Sequence, residues 1–186
     1  MIATGRNIRH ARSWVEQSFE VNFALAGVSM HAEASKAPGF KKGSRVAEAL
    51  RALSRTVTRA TTVYRGTQFA SPVMIARPDS GHHIELIDRG VPYYVVHPLS
   101  CSSKRSVARD FAGSKRRPGF VHVIRLRQGT RVVENLAEVV GDGMRAGFDR
   151  AVAREREIII AHDQWLIPME RKGRVITWEA RPTLIC

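Results

Sequence analysis

Glu155 and Glu157 stand one residue apart in the stretch AREREIII, residues 153–160, and run straight into Ile158, Ile159 and Ile160. An apolar β-branched triplet of this kind predicts the start of a buried strand. In an extended segment residues i and i+2 project to the same side, so both carboxylates would face one space while Arg156 faces away. Two acids sharing one space suggest chemistry, because a preorganised carboxylate stabilises positive charge as it develops in a transition state. The plainer reading is a solvated pair on an exposed edge strand, balanced by Arg154 and Arg156.

Two further places deserve comparison with this pair. In TVYRG, Arg65 ends a strand-like run and Gly66 follows, where a missing side chain lets the backbone approach a ligand closely. A surface arginine before a turn glycine reads the same way. PLSCSS, residues 98–103, ends a strand in clustered hydroxyls and then opens a short helix, KRSVARDFA. Ser102 or Ser103 would serve there as a helix N-cap and nothing more.

The elements that must carry these residues change character along the chain. In the first sixty residues Ile8, Ala11, Val15 and Phe19 recur at helical spacing, and Val46, Leu50, Leu53 and Val57 do so again after Ser44, a candidate N-cap. Between them ASKAPGFKKGS, residues 34–44, reads as a polar loop. From Thr61 the texture turns to short strand-like runs: TTVY, PVMIA, HIELI, PYYVV, FVHVIRL, EIII, QWLIP and VITWEA. One short helix over roughly residues 103–112 interrupts them, with Val107 and Phe111 on one face and Gly113 to end it. Helices followed by strands predict a single α+β domain over 1–186, with a helical part (1–60) and a strand-rich part (61–186) whose sheets are mainly antiparallel.

Bulk properties narrow the partners. The chain carries 30 Lys and Arg against 17 Asp and Glu, a net charge of +13, which favours an anionic partner: nucleic acid, an acidic protein surface or a phosphate-bearing small molecule. The basic residues are spread along the chain and form no zipper or zinc-finger spacing. Two cysteines, Cys101 and Cys186, are too few for a disulfide framework and point to a reducing cytosol. The N-terminus lacks the apolar core of a signal peptide, and no run of about 18 apolar residues could span a bilayer. His82 and His83 are adjacent rather than at ligand spacing, so no metal is expected. A Gly-rich dinucleotide fingerprint is absent too.

Taken in order, Arg65, Ser100 with Ser102, and Glu155 with Glu157 resemble the mono-ADP-ribosyltransferases of the toxin and arginine-modifying type, whose motifs are an arginine, a Ser-x-Ser and a Glu-x-Glu on three successive strands. The flanks agree: a helical stretch leading into VYRG, a helix with Phe-Ala after Ser-x-Ser, and HVIRLRQGT before EREIII. The resemblance covers roughly residues 45–182. The middle motif departs from it in carrying Cys101 where threonine is usual; on pleat geometry that side chain points away from the site and packs.

The resemblance implies an ADP-ribosyltransferase-like fold, with N-terminal helices packed on two sheets that flank an NAD cleft. It implies transfer of ADP-ribose from NAD, bound as a co-substrate, to an acceptor with release of nicotinamide. Glu157 would be the catalytic carboxylate and would hold the ribose hydroxyl, with Ser100 orienting it and Ser102 aligned as the second serine. Arg65 would bind the NAD phosphate and the Gly66 backbone the nicotinamide amide. Arg116 or Arg117, in the basic segment GSKRRPG, would add a phosphate contact, or be solvated loop charges. Glu155 would meet the acceptor, and glutamate there implies an arginine side chain of a target protein. Phe148, in the loop before it, is a candidate acceptor contact or a packing residue.

Rival readings stay open at this point: an acceptor that is RNA or DNA, NAD hydrolysis without transfer, and a basic nucleic-acid-binding module without catalysis. The implied setting is a cytosolic phage effector or toxin, with host transcription or translation machinery as a possible target.

Overall fold

The computed structural model describes residues 7–11, 38–73, 80–114, 116, 118–134, 136 and 157–183. Pro38–Leu53 forms one helix, α1. It starts earlier than the expected loop over residues 34–44 allows, and Ser44 lies inside it rather than capping it. Proline fits the opening turn because its φ is preset and its missing N–H would have no intrahelical partner there. Val46, Ala47 and Leu50 are buried against Val133, Leu136 and Ile159, and Ala11, from a helical segment at 7–11, completes that cluster. Val15 and Phe19 fall outside the described residues.

The helical spacing fails at Val57. The carbonyl of Arg51, left over in the last turn of α1, accepts bonds from Ser54 Oγ at 2.6 Å and Arg131 Nη2 at 3.0 Å, so side chains satisfy the helix end and the chain leaves it. Val57 then packs against a different cluster, with Val63, Ile124 and Trp178 among its members.

Nine strands form among the described residues: β1 (Arg55–Thr56), β2 (Thr61–Thr67), β3 (Tyr93–Val95), β4 (Leu99–Ser102), β5 (Phe120–Leu126), β6 (Arg131–Glu134), β7 (Glu157–Ile160), β8 (Gln164–Lys172) and β9 (Val175–Arg181). They pair in the order β1-β6-β7-β4-β2-β5-β9-β8-β3. All pairings are antiparallel except β5 with β9. Connectivity divides this sheet in two, because β2 and β4 meet at a single register pair, Tyr64 opposite Ser102, whereas β2 and β5 pair from Thr61 to Thr67. The result is the expected α+β architecture, with two mainly antiparallel units hinged at one residue pair.

Period-two alternation sorts the side chains of β4, β6 and β7. Leu99, Cys101, Val132 and Ile160 join the main core with Val63, Ile124, Ile176 and Trp178. Val133 and Ile159 face the other way, onto α1. β6 and β7 are thus buried on both faces, which is why EIII reads as a continuous apolar run.

HIELI is not a strand. It lies in a second helix, α2 (Ser80–Asp88), with Ile84 and Ile87 turned together toward the main core. Val91 N–H bonds Leu86 O at 2.9 Å and Gly90 N–H bonds Ile87 O at 3.0 Å, with Gly90 at φ +73°. This is the Schellman stop that glycine makes cheaply. In PVMIA, Pro72 and Val73 lie in a turn, and the remainder is outside the described residues.

The expected short helix forms as α3 (Arg105–Phe111), but on a different face. Ala108 and Ala112 are buried while Phe111 is 59% exposed. The cause is its seat on β2: a Cβ on Gly66 would stand 1.9 Å from Ala108 O and 2.6 Å from Ala112 N. Only small residues permit that approach. Gly66→Ala is therefore expected to displace α3 and cost on the order of 3 kcal/mol of stability, a typical overpacking penalty or somewhat more. Chemical denaturation of the variant checks this; a loss below about 0.5 kcal/mol would show that the contact is not rigid.

Candidate active site

The register of β4 on β7 places Ser102 opposite Glu157, Cys101 opposite Ile158 and Ser100 opposite Ile159. Ser100, Ser102 and Glu157 therefore share one face, and Ser100 Oγ donates to Glu157 Oε1 at 2.6 Å. β7 lies between β6 and β4, so Glu157 begins an interior strand and the edge-strand reading fails for it. Cys101 turns to the opposite face, 5% exposed in the main core. Burial pushes its thiol up to about 12, so it stays protonated and packs.

Ser102 is buried, and its Oγ accepts from Lys104 N–H at 3.0 Å. This side-chain turn leads the chain into α3, whose N-cap position is Lys104. Ser102 thus shapes the helix entry without being the cap residue itself.

Arg65 joins three segments. Its Nε donates to Pro72 O at 2.9 Å and its Nη1 to Ser100 O at 2.6 Å, so one guanidinium ties β2 to the 71–73 turn and to β4. Burial lowers its pKa from the ordinary arginine value, and the nearby Glu157 charge acts the other way; arginine remains charged throughout. Among the described residues Nη2 makes no hydrogen bond.

Directly opposite Arg65 in register is His122 on β5. It is fully buried. Trp178 Nε1 donates to its Nδ1 at 3.0 Å, which leaves the proton on Nε2, beside Thr67 Oγ1 at 3.0 Å and Phe69 O at 3.3 Å. Burial first, and the Arg65 charge second, push its pKa down to about 3. His97 is buried nearby, with Nε2 2.7 Å from Val73 O. Arg65 and His97 hold successive carbonyls of one turn.

Neither histidine stands out in the sequence, although Phe120, His122, Ile124 and Leu126 alternate in FVHVIRL and so place His122 on the core face. Arg116 is exposed in the segment between α3 and β5. Arg117, Phe148 and Glu155 lie outside the described residues. The described residues include no group of three or more His, Cys, Asp or Glu placed to hold a metal ion.

A pair of mainly antiparallel units hinged at one strand-pairing position is a recognisable architecture. The fold is that of the mono-ADP-ribosyltransferases. The eukaryotic mono-ADP-ribosyltransferase ART2.2, in a complex with NAD, superposes with a TM-score of 0.61 at 12% identity over 98% of this chain and 68% of that one. The ADP-ribosylating toxin BECa of a Clostridium perfringens binary enterotoxin, with NADH, gives 0.58 at 17% over 96% and 44%. The C3 exoenzyme of Clostridium limosum gives 0.59 at 9% over 96% and 86%. No protein-family model and no curated protein sequence matches this chain.

The neutral state of His122 has a pH signature. Its folded pKa lies below its unfolded value of 6.5, so its contribution to stability is complete above pH 6.5 and is lost as pH falls toward about 3. Denaturation midpoints of the wild type should decline through this window. His122→Gln, less stable at pH 7, should show a shallower decline between pH 6.5 and 4.5; parallel curves would exclude His122 as the source.

Proposed function

We propose that this chain transfers ADP-ribose from NAD to arginine side chains of target proteins and releases nicotinamide. The observation that carries this reading is the Ser100–Glu157 hydrogen bond beside a guanidinium tethered to the carbonyl of the same serine. Structures of similar fold hold NAD or NADH, which supports NAD as the co-substrate.

The residues suit the reaction. The bond between the nicotinamide ring nitrogen and the ribose breaks, its electron pair leaves with the ring, and the ribose gains positive charge. A carboxylate fixed in place by Ser100 stabilises that charge without having to reorganise. Arg65 keeps a terminal nitrogen for a phosphate oxygen, since a guanidinium fork matches phosphate geometry. The backbone at Gly66 holds the nicotinamide amide, and Arg116 or Arg117 adds a phosphate contact. Glu155 grips the acceptor guanidinium and takes its proton as the new bond to ribose forms, with Phe148 in the acceptor loop. The reaction takes place in the cytosol, in the setting of a toxin or phage effector.

One observation favours a second acceptor class: the net charge of +13 raises encounter with RNA or DNA. A single experiment separates the two. The protein is incubated with NAD labelled on its adenylate part and a bacterial lysate, then digested with protease or nuclease. Label released by protease, abolished together with nicotinamide release by Glu157→Gln (roughly 100-fold or more), is the expected result. Glu155→Gln should stop transfer while sparing some NAD hydrolysis. Label released only by nuclease would move the acceptor to nucleic acid, and unaltered turnover in Glu157→Gln would overturn the proposed chemistry.

A further inference from the structure

The parallel pair β5–β9 creates a second cationic centre. Because β5 and β9 run the same way, their C-terminal ends emerge side by side, with Arg127 just after β5 and Arg181 closing β9. Both arginines donate Nε to the same carboxylate, Glu179. That carboxylate is 2% exposed. Burial alone would raise its pKa, but the two arginines outweigh burial and hold it below the ordinary range, so a buried anion orients two guanidiniums.

Bonding through Nε leaves the terminal nitrogens of both arginines without other hydrogen bonds among the described residues. Arg127 and Arg181, with Gln128, Pro182 and Thr183, line a surface pocket of about 320 Å³. Its described lining contains no carboxylate, since Glu179 stands behind the arginines. Two cations against one anion leave the mouth positive. The turn is also built in advance: Arg127 N–H bonds Ala180 O at 3.1 Å, Thr130 N–H bonds Arg127 O at 3.0 Å, and Thr130 Oγ1 donates to Ala180 O at 3.0 Å.

The site lies toward the far end of β5 from the position opposite Arg65. His122, the neighbour of Arg65, and Arg127 are separated along β5 by roughly 17 Å at about 3.3 Å per residue. We infer that this pocket binds a phosphate group of a nucleotidyl unit, carried either by a free nucleotide or by a nucleic-acid strand. Paired guanidinium forks match phosphate oxygens better than a point charge does. The volume, in the range of small-ligand sites, leaves room for the attached nucleoside, for which Gln128 and Thr183 offer donors and acceptors. This inference stands whether or not the proposed transferase reading holds.

The test is equilibrium binding to the full chain of two probes, adenosine monophosphate by calorimetry and a labelled single-stranded oligonucleotide by fluorescence anisotropy. Arg127→Gln removes one fork while Arg181 stays on Glu179. Arg181→Gln serves as the reciprocal variant, and Lys172→Gln removes an exposed charge elsewhere. Thermal denaturation of each variant confirms the fold.

Weakening on the order of tenfold in Arg127→Gln, with Lys172→Gln within about twofold of wild type, supports the site. Weakening for the mononucleotide identifies a free nucleotide as a sufficient ligand. Weakening for the oligonucleotide alone, with a shallower salt dependence, assigns the site to a strand. Equal loss in Arg127→Gln and Lys172→Gln, or unchanged binding of both probes in Arg127→Gln and Arg181→Gln, overturns the inference.

Discussion

One guanidinium bridges two units of sheet whose strands pair across their boundary at a single residue pair. Where β2 and β4 part beyond Tyr64 and Ser102, Arg65 spans the gap by bonding Ser100 O and Pro72 O. A charge in this position must be compensated, because burial penalises the ionised state. The surroundings comply: two carbonyl oxygens accept its hydrogen bonds, Glu157 lies near enough for its charge to help, and His122 opposite is held neutral by burial and by the Arg65 charge, with its Nδ1 accepting from Trp178. A second cation there would repel the first.

The same hinge explains why the helices lie where they do. α3 descends onto β2 at the one position without a side chain, Gly66, and contributes alanines rather than its phenylalanine to the contact. α1 covers the face of β6 and β7 that carries Val133 and Ile159. Because alternate residues of β7 face opposite ways, the strand that anchors Glu157 beside Ser100 also fastens α1 through Ile159 and the main core through Ile160. The position of the carboxylate is therefore fixed by packing on both sides of the strand. Preorganisation of this kind is what electrostatic stabilisation of a ribosyl cation requires.

Much of this was legible in the chain. EIII, FVHVIRL, QWLIP and VITWEA are strands because β-branched and aromatic residues suit pleated, two-sided burial. The joint order of Arg65, Ser100 with Ser102, and Glu157 singled out residues that the fold brings together, although no one of these motifs is specific alone. HIELI misled because five residues of mixed polarity fit either period; the deciding signals were Ile84 and Ile87 at helical spacing and the stop at Gly90. Pro38 and Gly39 suggested a loop, yet proline is compatible with a helix start. The His122–Trp178 bond and the Arg127–Glu179–Arg181 cluster depend on cross-strand register, which no local pattern encodes.

The central claim is that the hinge is where NAD is cleaved. The most direct measurement is a crystal structure of the Glu157→Gln variant, chosen to slow turnover, with NAD bound. The account predicts that the ribose joined to nicotinamide lies within hydrogen-bonding distance of residue 157 and Ser100, with a phosphate oxygen on Arg65. NAD bound elsewhere on the protein, or a ribose on the far side of β4 from residue 157, would contradict it.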